Sequence, residues 1–181
     1  MKMKPQFAVV GFALLLAACG SPNSAPPAAP PGPSADAQQV SANLATFDDL
    51  DFNVFTHQKW DELSKSHAKD IIVHWPDGHS TKGLEKHIED LKAMFVYAPD
   101  TRIPAHPVKF GSGMWTSVMG TMEGTFTKPM PVAGGKPIAP TGKAFSLTMN
   151  TVGKWNKDGT MDEEYLFWDN ATFMRQLGLA K

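Results

Sequence analysis

An α+β fold is expected for the part of this chain beyond residue 40, and three observations predict it. Helix-period apolar residues are confined to the stretch before Pro99, strand-like segments fill almost everything after it, and the two kinds of pattern do not alternate. Helices first and a meander afterwards is the arrangement of segregated layers rather than of repeated βαβ units.

Leu44, Phe47, Leu50, Val54 and Phe55 recur at spacings of three and four behind a cap expected at Ser41, which predicts an amphipathic helix with one face to bury. Trp60 and Leu63 belong to a second, short helix. The β-branched run Asp70-Ile71-Ile72-Val73-His74-Trp75 reads as a strand stopped by the turn signal Pro76-Asp77-Gly78. A third helix carries Leu84, Ile88, Leu91, Met94 and Phe95 on its stripe and ends at Pro99-Asp100. Beyond it, strands are expected near Arg102 to Phe110, Met114 to Thr127, Lys143 to Asn156 and Thr160 to Asp169. Val118, Met122 and Phe126 share one face, as do Phe145, Leu147 and Met149, so one side of the sheet should pack on the helices. Lys128 to Pro140 holds four prolines and two glycines, so it should be an exposed loop and a candidate cover for a cavity mouth.

The start of the chain has a different composition. Lys2 and Lys4 precede an apolar stretch from Phe7 to Leu16, long enough for a signal core and too short for a permanent membrane span. Leu16-Ala17-Ala18-Cys19 follows and resembles the lipobox of bacterial lipoproteins. That resemblance implies that residues 1–18 are a signal peptide, that the Cys19 thiol takes a diacylglyceryl group, and that the new amino terminus is acylated. One acyl chain, at roughly 0.8 kcal/mol per buried methylene, anchors only reversibly, so the second lipid matters. Cys19 is the only cysteine of the 181 residues, which leaves none for an internal disulfide. Residues 19–40 continue as a Pro/Ala-rich tether able to reach roughly 60 Å at ~3 Å per residue. Gly20, rather than aspartate, after the cysteine points to an outer-membrane anchor facing the periplasm. The domain is therefore expected over residues 41–181, in the cell envelope.

The formal net charge is −1 and no long basic run occurs, which argues against nucleic acid as a partner. The sequence holds no phosphate loop, dinucleotide glycine fingerprint or nucleophile elbow. His57, His67, His79 and His87 read as surface residues whose spacings form no ligand set, so neither a metal nor another cofactor is expected. The five tryptophans are candidates for stacking on a planar ligand, with core or rim packing as the plainer reading.

Several motifs in order carry a family resemblance. Gly124-Thr125-Phe126, Pro140-Thr141-Gly142-Lys143, Trp155-Asn156-Lys157-Asp158-Gly159, Glu163-Glu164-Tyr165, Trp168-Asp169-Asn170 and Gln176-Leu177-Gly178 together resemble the SnoaL-like polyketide cyclase or ester cyclase family, from about Ala42 to the end. The resemblance implies the nuclear transport factor 2-like fold, a strongly curved, mainly antiparallel sheet wrapped round helices to form a conical cavity. It also implies cofactor-free ring closure by intramolecular aldol condensation as the activity of characterised members.

Proton abstraction beside a carbonyl needs a sheltered carboxylate or imidazole. Asp169 matches the family's acidic residue before the terminal helix and is the expected base, although it is equally placed to cap that helix. Tyr165 stands where the family often shows a histidine and offers a hydroxyl to an oxyanion, while His74 and His106 are candidate proton donors. The function expected is acid/base lyase or isomerase chemistry on a small apolar carbonyl compound held in the cavity. The alternative is a non-catalytic lipoprotein binding a hydrophobic ligand in its cavity, or a partner such as a second copy through its sheet face.

Overall fold

The computed structural model describes residues 32–181; the expected signal peptide, Cys19 and most of the expected tether lie outside them. Helix α1 spans Ala35–Asp49, so it starts within the stretch expected to be tether. Its cap is Ser34, whose hydroxyl accepts from the Ala37 amide at 3.2 Å, and not Ser41. α1 runs directly into a π-helical turn, Leu50–Phe55, which places Leu50, Asp51, Val54 and Phe55 in the interior together. The wider turn shifts the phase of the buried face, a device often found at functional sites. Thr56 fastens its end: its hydroxyl donates to the Asp51 carbonyl at 2.7 Å and accepts from the Ile103 amide at 3.0 Å.

A 3-10 helix, Trp60–Lys65, leads into β1 (His67–His74), and a short strand β2 (Ser80–Lys82) folds back on it. Helix α2 covers Leu84–Tyr97 and buries His87, Leu91 and Phe95, spaced four apart. The strands β3 (Arg102–Ser112), β4 (Trp115–Thr125), β5 (Ala144–Trp155) and β6 (Met161–Trp168) follow, and α3 (Asn170–Gln176) ends the domain. They form one six-stranded sheet in the order β2-β1-β6-β5-β4-β3, with only β1 and β6 parallel.

One face of the sheet holds the core. Val118 and Met122 on β4, Phe126 just beyond it, and Phe145, Leu147 and Met149 on β5 are all buried, as their alternation predicts. They pack with Phe47, Leu50, Val54 and Phe55 from the first helical segment and with Leu91 and Phe95 from α2. The other face exposes Phe110, Val108, Trp115, Met119 and Phe167. β3 is an edge strand, which is why Pro104 and Pro107 are tolerated in it. Its pairing with β4 shifts register on both sides of Ala105, and that irregularity turns His106 inward.

The segment 128–140 is tied by the Lys128 amide, which donates to the Tyr97 carbonyl at 3.1 Å, and by a bridge between Met130 and Ile138, whose side chains rest against the core. Among the described residues no helix is long and apolar enough to cross a membrane.

Candidate functional site

Two groups of buried titratable side chains lie on the concave side of the sheet. The first lines a small cavity of about 40 Å³. Its walls are mostly apolar, with Leu50, Phe55, Leu91, Met122, Met149 and Leu166 among them, and its polar lining is His67, His87, Glu164, Asp51 and Thr151. Trp75, Met94 and Trp168 are the lining residues that keep partial exposure, so they mark where the cavity approaches solvent.

Each polar group is delivered by a different element. His67 opens β1, His87 is on the inner face of α2, and Glu164 points inward from β6 alongside Leu166. The Glu164 Oε2 atom is 3.4 Å from His87 Nε2 and 3.8 Å from His67 Nε2. Burial by itself would raise the Glu164 pKa; the two imidazoles outweigh it and hold the carboxyl below its ordinary value of 4.5. Burial pushes His87 down to about 4 against the attraction of Glu164, so that ring is neutral at pH 7.

The second group is stacked behind Asp51. His106 has a side chain only 1% exposed, with Nδ1 2.8 Å from Asp48 Oδ1 and Nε2 2.8 Å from Asp51 Oδ2. Phe52 lies against the imidazole with ring centroids 4.5 Å apart, and Phe47 meets it edge-on. Lys109 completes the row by donating to Asp48. Burial alone would lower the His106 pKa, but the hydrogen bonds to Asp51 and Asp48 overcome it and hold it above 6.5. Asp51 is raised above 3.8, burial outweighing its bond to His106. Asp48 is lowered, its bonds to Lys109 and His106 overcoming a smaller exposure to the same burial effect. A row Lys109, Asp48, His106, Asp51 thus runs from the surface to the cavity wall.

The expected site residues fall differently. Asp169 is not in the cavity: its side chain is 61% exposed and caps α3, accepting from the Ala171 amide at 2.9 Å and from the Thr172 hydroxyl. Those bonds hold its carboxyl below 3.8, the opposite of a base awakened by burial. Tyr165 shares its face with Asp169 and Phe167, as period two requires, but that face is the outer one. Tyr165 donates to Glu163 at 2.7 Å and stacks on His74 at 4.2 Å; His74 is bonded to Ser80 and Glu163 there, away from the cavity. Only His106 of the four is in the interior, and it reaches the cavity through Asp51. No residue of 128–140 lines the cavity, so the loop does not cover it.

His67 and His87, expected at the surface, are both buried. The sequence carried faint signals for what was missed. Asp51 lies four residues from both Phe47 and Phe55, on the apolar stripe, and Glu164 alternates with Leu166. A charged residue on a buried face needs a partner or a task.

The curled single sheet closed over helices, with buried imidazole and carboxylate groups in its hollow, defines a nuclear transport factor 2-like domain. The family model for SnoaL-like polyketide cyclases matches residues 53–177, and the chain belongs to that family. Solved structures agree on the fold. A SnoaL-like protein of Jannaschia sp. CCS1 superposes with a TM-score of 0.69 at 15% identity, over 84% of this chain and 100% of that one. IdmH of Streptomyces antibioticus gives 0.63 at 21% identity, over 75% and 98%. An NTF2-like protein of unknown function from Burkholderia pseudomallei gives 0.60 at 17% identity, over 75% and 97%. No curated protein matches the sequence significantly.

Proposed function

We propose that this chain is a lipid-anchored envelope protein whose domain performs proton-transfer chemistry on a small apolar carbonyl compound, with Asp51 as the general base. The observation that carries the reading is a carboxylate in the wall of an apolar cavity, with its pKa raised by burial and its orientation held by His106. A base of this kind is stronger than an ordinary carboxylate and meets little competition from water. Asp51 takes the proton from carbon beside the carbonyl, leaving an enolate. The neutral His87 ring and the Thr151 hydroxyl line the same space and are placed to donate to the developing oxyanion. The protonated Asp51 then returns the proton, either to another carbon of the enolate or, once the enolate carbon has added to a second carbonyl carbon, to the alkoxide oxygen left by that addition.

The proton-transfer reading is tested with small β-diketones in D2O, following deuterium uptake at carbon by NMR. Protein-dependent exchange above the buffer rate is expected. Its absence across the series, together with a hydrophobic molecule retained from the native envelope, would favour a binding protein instead.

The anchor rests on Leu16-Ala17-Ala18-Cys19. Cys19→Ser should leave an unprocessed precursor without lipid in the producing bacterium, as judged by mass and by labelling with palmitate. A variant processed and membrane-bound like the parent would remove this part of the proposal. The exposed Val108, Phe110, Met119 and Phe167 support pairing of two copies through the outer sheet face.

A further inference from the structure

We infer that His67, His87 and Glu164 form a binding site for a divalent transition-metal ion, with zinc the best fit to two imidazoles and one carboxylate. The ion would rest on the floor of the cavity already described. The inference depends on that cavity being the functional one but not on the identity of any substrate.

Three observations converge on it. The ligand atoms of these residues lie within 4.8 Å of one another, and all three residues are buried. Tetrahedral zinc with bonds of about 2.0–2.2 Å sets its ligand atoms about 3.3 Å apart. The 3.4 Å between His87 Nε2 and Glu164 Oε2 already matches, and His67 Nε2 stands 3.8 Å from the same oxygen.

The second observation is a lack of partners. His67 Nε2 and Glu164 Oε2 are buried with no hydrogen-bond partner among the described residues. Their 3.8 Å separation is too long for a hydrogen bond. A buried carboxylate oxygen without a donor is costly, and an ion between these groups would satisfy both.

The third concerns the proton on His67. Its Nδ1 lies 3.3 Å from the Leu63 carbonyl and 2.8 Å from Ser66 Oγ, and the Ser66 hydroxyl itself donates to that carbonyl at 3.2 Å. A carbonyl only accepts, so donation from Nδ1 to it leaves Nε2 as the ring nitrogen turned toward Glu164. Donation from the far ring nitrogen to a backbone or hydroxyl oxygen is also how metal-binding histidines are usually oriented.

Three protein ligands leave a fourth position, and all three residues line the cavity. Its 40 Å³ has room for a water molecule beside the ion, since one water occupies roughly 10–15 Å³ on this measure. The arrangement is that of a site able to polarise a carbonyl oxygen arriving next to Asp51.

The test is a titration of chelator-treated protein with Zn2+ by calorimetry and with Co2+ by visible absorption, both without substrate. One equivalent should bind, with Co2+ giving the intense bands of four-coordinate geometry. Glu164→Gln keeps the shape of the side chain and should weaken binding by at least about 100-fold, more than the loss of an outer-shell partner usually costs. His79→Ala removes an exposed imidazole and should leave stoichiometry and affinity unchanged. Circular dichroism of each variant separates loss of the site from loss of the fold. No binding by folded parent protein, or equal binding by folded Glu164→Gln, would overturn the inference. If deuterium exchange of β-diketones proceeds at full rate in the metal-free protein while Zn2+ still binds, the metal site stands and the ion has no part in that exchange.

Discussion

Asp51→Asn is expected to lower the deuterium-exchange rate by about 10² to 10⁴-fold while leaving the domain folded, the range that removal of a positioned general base produces. The amide preserves the shape of the side chain and can still accept from His106 Nε2, so the hydrogen bond at 2.8 Å has a counterpart in the variant. It cannot take a proton from carbon. The control is Asp169→Asn. Asp169 caps α3 from outside the cavity, and asparagine caps about as well as aspartate, so that variant should keep both stability and activity. Exchange rates measured side by side decide between the two carboxylates. Full activity in Asp51→Asn would remove it as the base, and loss in Asp169→Asn alone would return the role to the terminal strand.

His106→Leu should destabilise the domain by about 3–5 kcal/mol at neutral pH, the cost of removing one member of a buried charged pair and stranding the other. Leucine approximates the volume between Phe47 and Phe52 but provides nothing for the Asp51 carboxylate. The pH dependence has a definite sign. In the parent, His106 is held above 6.5 in the folded state, so its stabilisation is complete below 6.5 and is lost as pH rises through the folded value. Asp51 is raised above 3.8 even with His106 present. Without that imidazolium it rises further, so the folded variant holds the Asp51 proton more tightly than the unfolded chain does. The variant's own stability should therefore rise as pH falls through the folded Asp51 value, while the parent loses the His106 contribution as pH rises through the folded His106 value. Urea unfolding at several pH values measures this. A pH-independent difference would mean that His106 contributes packing alone.

Much of the architecture was legible because it depends on periodicity. The strands expected near Met114 to Thr127 and Lys143 to Asn156 appear as Trp115–Thr125 and Ala144–Trp155, and their apolar faces are the buried ones. The ordered motifs from Gly124 to Gly178 identified the family, whose model matches residues 53–177. Boundaries were less accessible. α1 begins at Ala35 because Ser34 caps it, and the composition of residues 34–40 offers little apolar periodicity to mark that start.

The site was mostly illegible, and for a physical reason. Period two correctly grouped Asp169, Tyr165 and Phe167, yet alternation does not say which face turns inward when both contain large side chains. The sheet curls so that Glu164 and Leu166 face the helices, and Tyr165, Phe167 and Asp169 are left outside or at the end. His67 and His87 stand twenty positions apart on a strand and a helix, a separation that resembles no ligand spacing. They meet only because α2 packs across β1, while the parallel pairing of β1 with β6 brings Glu164 between them. The amino-acid sequence by itself determined the class of fold, the order of its elements and its family. Which carboxylates and imidazoles lose their water, and therefore which can hold a shifted pKa or an ion, was decided by the curl of the sheet, the π-helical turn at Leu50–Phe55 and the irregular edge at His106. Desolvation belongs to a three-dimensional neighbourhood, and no single segment of the chain contains one.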